Sequence, residues 1–229
     1  MMTLHATAPR QRAVEELAAT VRERILNGAL SPGQPLRESV LAEESGLSRH
    51  TVRAALALLA AERLATAEPF AGVRVAALGD EDLVALQDLR CALESAAVRR
   101  LHDRFGDGPW PSPITAALEA ALRELEKACS AHPDDWAAVE RAHSRLHLAL
   151  VTGAASPRIT DSYRQLDAEL QLLLLHIRPH YGPGALVAEH RRYIGDVQRL
   201  GEPAVRDHLA HSTDLILRSR RTKPGDPDL

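Results

Sequence analysis

Between residues 38 and 63 the chain reads ESVLAEESGLSRHTVRAALALLAAER, and one glycine, Gly46, separates two runs whose apolar residues recur at helical spacing. Val52, Leu56 and Leu59 fall at i, i+4 and i+7, one face of a helix from about Arg49 to Arg63, and Ser48 offers the side-chain oxygen that caps it. The segment therefore reads as helix, tight turn, helix. Upstream, VEELAATVRERIL predicts a first helix from about Ala13 to Asn27, closed by Gly28, and GALSPGQPL is a turn-rich connector. Downstream, LATAEPFAGVRVAAL alternates small apolar residues on either side of Pro69 and Gly72, which predicts a short β-hairpin.

From Asp80 onward the pattern is helical almost throughout. Asp80, Glu81 and Asp82 suit the positive end of a helix of about 25 residues. PWPSP interrupts it, and further helices are expected at about 113 to 131, 134 to 153, 157 to 178, 185 to 200 and 203 to 220. Ser156 with Pro157, and Pro203, suit helix starts. The expected architecture is mainly α: a three-helix module with a hairpin over residues 1 to 76, then an antiparallel bundle of about six helices over 80 to 220. The remainder, 221 to 229, is polar and expected to be disordered.

Composition narrows the function classes. Cys91 and Cys129 form no CxxC, so neither a disulfide framework nor a thiolate zinc site is suggested. No apolar run approaches a membrane span, and MMTLHATAPRQR lacks the apolar core of a signal peptide, so a cytoplasmic protein is expected. Net charge is −3 overall, but residues 1 to 76 carry 9 Arg against 8 Glu, which points to this part as the one that could meet a phosphate backbone. There Ser48, Arg49, His50, Thr51 and Arg53 gather at one helix N-terminus. Hydroxyls and backbone donors suit phosphates, and Arg forks suit guanine edges. On the helix alone, an ordinary solvated face explains the same residues.

The order of these elements, with RERILNGALSPGQPLRES, LAEESGLSRHTVRAAL and AGVRV over about residues 14 to 76, resembles the winged helix-turn-helix of the GntR family of bacterial transcription regulators. The family usually has Ser-Arg-Thr-Pro-Val-Arg-Glu-Ala where this chain has Ser48, Arg49, His50, Thr51, Val52, Arg53, Ala54 and Ala55. The resemblance implies a DNA-facing set of Ser48, Arg49, His50, Thr51 and Arg53, with Gly72 at the wing. His50 and Thr51 depart from the pattern, so a family operator preference carries over poorly.

LRCALE at 89 to 94, AHSRLHLALVTGAASPRI at 142 to 159 and AEHRRYIGDVQRLGEPAVRDHLAHS at 188 to 212 resemble the FCD effector domain of the FadR-like branch. Many members hold a divalent metal with an Asp and a His one helical turn apart and two further His. Those positions fall on His143, His147, His190 and His211, with His143 in place of the Asp. His208, one turn before His211, is the other candidate for the last position and is assigned to a solvated face. Four neutral imidazoles suit zinc, with nickel, copper or iron as alternatives, and leave the ion's charge uncompensated. That charge should draw an anion, so a small carboxylate effector is expected, assisted by Arg90, whose alternative is a surface ion pair with Asp88 or Glu94.

The resemblance thus implies a homodimeric, effector-responsive regulator, with repression the commoner sense, on a pseudo-palindromic DNA operator. Two rivals remain within that class: sensing of the metal itself, and a ligand cavity without metal. A helical-bundle metalloenzyme is the rival outside it. No HExxH motif is present, and no carboxylate is assigned beside HSRLH, residues 143 to 147, as a general base. His176 and His180, separated by Pro179, are assigned to a helix end or loop.

Overall fold

The structure, a computed structural model, describes residues 9–68, 72–131, 135–174 and 183–221. Two compact units divide the chain, one reaching residue 77 and the other beginning at residue 78. In the first, α1 (Pro9–Leu26), α2 (Glu38–Ser45) and α3 (Arg49–Ala61) precede β1 (Ala65–Glu68) and β2 (Gly72–Val75). The apolar stripe of α1, Leu17, Val21 and Ile25, is buried, as are Val52, Leu56 and Leu59 of α3. Those two stripes account for the packing of α1 on α3. Between α2 and α3, Gly46 takes φ +69°, a left-handed turn that a residue with a side chain adopts only at a cost.

β1 and β2 pair antiparallel, with Ala65 opposite Val75 and Glu68 opposite Gly72. The connector before α2 is more ordered than its prolines and glycines suggest. Leu36 N–H donates to Val73 O at 2.8 Å and Val75 N–H to Gln34 O at 2.9 Å, so SPGQPL lies along the outer edge of β2. Long-range pairing of this kind leaves no periodic trace in a sequence.

The second unit is helical: α4 (Asp80–Phe105), α5 (Ser112–Ala131), α6 (Trp136–Gly153), α7 (Pro157–Arg164), α8 (Asp167–Leu174), α9 (Pro183–Leu200) and α10 (Glu202–Arg221). Asp82 accepts the Gly79 N–H at 3.1 Å and holds the first turn of α4, as its acids suggested. Ser156 makes no side-chain cap, although Pro157 does open α7. The single helix expected over 157 to 178 is two. At Gln165 and Leu166 the bonding tightens, with Leu166 N–H donating to Tyr163 O at 3.0 Å, and Asp167 and Glu169 then supply acids for a new first turn. The kink turns both Tyr163 and Leu166 inward. His176, His180 and the tail 222 to 229 lie outside the described residues.

Helix α6 sits deepest, packed against α4, α5, α7 and α8. Around Leu146, Leu150 and Val151 it buries four polar side chains, Glu140, His143, Ser144 and His147. Helix α4 does the same: on its buried face Leu83, Leu86 and Leu101 flank Gln87, Arg90 and Glu94. Buried polar groups need partners. The site grows from that requirement.

Candidate functional site

Glu94, with 0% exposure, is the hub. Its Oε1 accepts from Arg90 Nε at 2.8 Å and from the Tyr163 hydroxyl at 2.8 Å. Its Oε2 accepts from the Tyr193 hydroxyl at 2.8 Å and from His147 Nδ1 at 3.1 Å. Burial by itself would push this carboxyl up, but His147, Arg90 and the hydrogen bonds they donate outweigh it and hold it well below the usual carboxylate range. Burial and the Glu94 charge push the Tyr163 and Tyr193 hydroxyls well up, so both keep their protons and donate.

Next to this hub three imidazoles converge. His143 Nε2 lies 2.7 Å from His190 Nε2, His147 Nε2 lies 3.2 Å from His143 Nε2, and His190 Nε2 lies 3.2 Å from His147 Nε2. Burial pushes the His147 pKa down to about 4 against the pull of Glu94. Burial, reinforced by neighbouring histidines, pushes His143 and His190 well below their ordinary value. All three are neutral at pH 7, so each ring holds one proton.

That proton can be located for two of them. His147 Nδ1 faces a carboxylate and His190 Nδ1 faces the Leu186 carbonyl at 2.8 Å, acceptors that can only take a hydrogen. Both rings are therefore Nδ1–H, and both Nε2 atoms carry bare lone pairs. Two lone pairs 3.2 Å apart repel, and a proton on His143 Nε2 could bridge only one of them. A cation held among the three would resolve the conflict. Ligands at ~2.0–2.1 Å from a tetrahedral ion stand about 3.3 Å apart, close to the two 3.2 Å separations, while the 2.7 Å between His143 and His190 is shorter. The donor set fits a divalent metal, with Glu94 and the Leu186 carbonyl as the outer acceptors that orient two of its ligands.

Of the residues expected to hold the ion, the structure brings together His143, His147 and His190. His211 is corrected: it is exposed, because the buried stripe of α10 runs through Val205, Leu209, Ser212 and Ile216. His208, assigned to a solvated face, flanks that stripe instead. Its ring stacks on Tyr193 at 4.1 Å and lies 5.0 Å from the His190 ring, with Nδ1 3.3 Å from Glu189 Oε1. The expectation of no carboxylate beside HSRLH is corrected as well. Glu94 meets His147, and Glu140, one turn ahead of His143, is buried in the same helix.

Arg90 is neither free nor on the surface. It is 2% exposed and paired with Glu94 inside the bundle, so the surface-pair alternative named the right partner in the wrong place. With His143, Ser144, Tyr163, Asp167 and Leu170 it lines a cavity of about 10 Å³. That is room for no more than about one water.

Neutral buried histidines have a consequence for acid stability. Their folded pKa values lie below about 6.5, the unfolded value, so as pH falls toward 4 the unfolded chain binds protons that the folded bundle refuses. Metal-free protein should hold full stability above pH 6.5 and lose it at up to about 1.4 kcal/mol per pH unit for each such histidine on the way to pH 4. Urea midpoints of chelated protein at pH 7.5 and pH 5 measure this. A higher midpoint at pH 5 would contradict the neutral assignment.

At the other end of the chain, Ser48 caps α3 by accepting the Thr51 N–H at 3.1 Å. Thr51 is corrected: it is 7% exposed and its hydroxyl lies 2.9 Å from Ser48 Oγ, so it completes the cap rather than facing outward. Ser48, Arg49, His50 and Arg53 are exposed, and Gly72 takes φ +83° where the wing strand begins. Arg53 directs Nε at both Glu38 oxygens at 2.8 Å, and Arg10 Nη2 reaches His50 Nδ1 at 2.8 Å.

Comparison with known proteins identifies both units. The family model described as bacterial regulatory proteins, gntR family, matches residues 13–75, and that of the FCD domain matches residues 85–211. An uncharacterized HTH-type transcriptional regulator, YdhC, of Bacillus subtilis (strain 168) is 26% identical over 83% of this chain and 84% of its own. A probable D-xylose utilization operon transcriptional repressor of Paenarthrobacter nicotinovorans is 27% identical over 93% and 92%. The crystal structure of a putative GntR transcriptional regulator from Rhodococcus sp. RHA1 superposes with a TM-score of 0.71 at 23% identity, covering 93% of this chain and 99% of that one, a likeness of fold. No helix among the described residues is long and apolar enough to cross a membrane. The chain belongs to the GntR family of bacterial regulatory proteins, as a transcriptional regulator and not an enzyme, with a winged helix-turn-helix followed by an FCD domain.

Proposed function

We propose that this regulator is a homodimeric repressor whose bundle holds a divalent ion, zinc first, and answers to a small carboxylate. The observation that carries the metal reading is the triangle of Nε2 atoms, two of them fixed as bare lone pairs. His143, His147 and His190 would hold the ion, with His208, whose ring lies 5.0 Å from that of His190, as the proposed fourth ligand in place of His211. The ion, when bound, supplies positive charge and an open position for an anion. Arg90 and Glu94 cancel each other, so nothing in the hub offsets that charge. Repression is supported by relatives bearing that description, among them GlaR of Escherichia coli (strain K12), 32% identical over 59% of this chain and 60% of its own.

A second reading, a regulator that senses the ion itself, draws on the size of the cavity. At about 10 Å³ it admits no organic acid unless α7 and α8 move.

For the DNA-facing set, Ser48, Arg49, His50 and Arg53 would meet DNA, with Gly72 at the wing. Two recognition helices of a dimer would enter major grooves about 34 Å apart. Selection from random-sequence DNA, followed by mobility shifts of the selected fragment with zinc-loaded and chelated protein, with and without small carboxylates, tests this reading. The selected site should be an inverted repeat, and Arg49→Ala should weaken binding by roughly 1–3 kcal/mol. Selection of a site without inverted symmetry would sink the dimer reading. A carboxylate panel that leaves the shift unchanged while chelation alters it would favour the ion as the signal.

A further inference from the structure

The metal reading leaves one buried group unexplained. Glu94 touches no candidate metal position, yet four donors from four different helices end on its two oxygens: Arg90 of α4, His147 of α6, Tyr163 of α7 and Tyr193 of α9. A carboxylate paired only for stability would be satisfied by Arg90 and the two tyrosines. The fourth donor matters for a different reason. His147 can place its single proton on either nitrogen, and only one choice leaves Nε2 able to grip a cation.

The two other rings show what the alternatives look like. His190 has a backbone carbonyl, Leu186 O, fixed by the helix itself at 2.8 Å. His143 Nδ1 has no hydrogen-bond partner, so no acceptor holds its proton on that nitrogen. His147 depends on Glu94 alone.

We propose that Glu94 is the positioning residue of the histidine centre, holding His147 as the Nδ1–H tautomer with its bare Nε2 turned toward His143 and His190. Arg90 then acts one step further out. It neutralises Glu94 and keeps one oxygen engaged, so that the carboxylate stays ionised in the bundle without becoming a ligand itself. This rests on the metal reading, with the tautomer observable whether or not an ion is bound.

Removing Glu94 alone would leave Arg90 buried without its partner and could unfold the bundle. The test therefore removes the pair together, as Arg90→Met/Glu94→Met, with circular dichroism as the check of fold. Two measurements follow. Long-range ¹H–¹⁵N spectra of chelated protein labelled at histidine should show His147 as Nδ1–H in the wild type and as a tautomer mixture in the double variant, a change that lost packing alone would not produce. Zinc affinity, measured by competition with a chromophoric chelator, should fall about 10- to 100-fold in the folded double variant, the range typical of a lost outer-shell partner. Wild-type His147 found as Nε2–H, or unchanged zinc affinity in the double variant, would overturn the role of Glu94. Wild-type protein that binds no zinc, or His190→Ala that binds it as tightly as wild type, would instead overturn the metal reading.

Discussion

His190→Ala is expected to cost the protein at least about 100-fold in zinc affinity, more than the 10- to 100-fold typical of an outer-shell partner. Two of the three converging nitrogens come from α6, where His143 and His147 lie one turn apart, and only His190 brings a ligand from α9. Without it the triangle falls to a pair on a single helix, which an isolated peptide could also offer, with His208 of α10 the one further ligand proposed. The loss should be visible in heat as well as in titration. At zinc concentrations about 1,000 times Kd, a bound ion stabilises the folded state by about 4.1 kcal/mol. For a chain of this size each 1 kcal/mol is worth roughly 2–4 °C. Wild type should therefore melt on the order of 10 °C higher when loaded than when chelated, and His190→Ala, at about 10 times its own weakened Kd or less, should keep no more than about a third of that difference. A variant that keeps the full zinc shift would remove α9 from the site.

Arg90→Ala should have the largest effect on the metal-free fold. The Arg90 and Glu94 side chains are 2% and 0% exposed, and removing the guanidinium leaves a carboxylate that must stay charged without a counter-charge or take up a proton. Breaking a buried pair from one side costs about 3–5 kcal/mol. Urea denaturation of chelated wild type and variant measures it. A loss below about 1 kcal/mol, the worth of an exposed pair, would mean that water reaches Glu94. The contrast is available within the molecule: Arg53 and Glu38 form an equally short pair, but with Arg53 70% exposed. Its loss should leave the fold unmoved.

The sequence showed the helices, the hairpin and the division into two units because each rests on local periodicity or on a glycine or proline that stops it. It did not show the break in α7–α8, since Gln165 and Leu166 include neither stopping residue and the kink comes from drawing Tyr163 and Leu166 inward together. HSRLH was legible as a two-ligand grip from spacing alone. The choice between His208 and His211 was not, because two residues three apart on one helix face similar directions, and only the packing of α10 on α9 separates them. Thr51 was read as outward for want of its partner, the Ser48 hydroxyl three residues earlier. Glu94 was the most consequential misplacement, named only as a surface partner of Arg90. The spacing of Leu83, Leu86, Arg90, Glu94 and Leu101 already places it on the buried face of α4, where a charged residue calls for an explanation. Three of its four partners come from other helices, and no spacing rule joins those to it.

His143 and His190 are 47 residues apart in sequence, and α7 and α8 lie in the stretch between them. In polymer terms, an ion held by both is a reversible cross-link that closes a loop. Doubling the length of such a loop adds only about 0.6 kcal/mol to its closure cost, so the tie constrains its two ends far more than the chain between. An ion pinning α6 to α9 would hold the two ends of that loop together, and its release would free them.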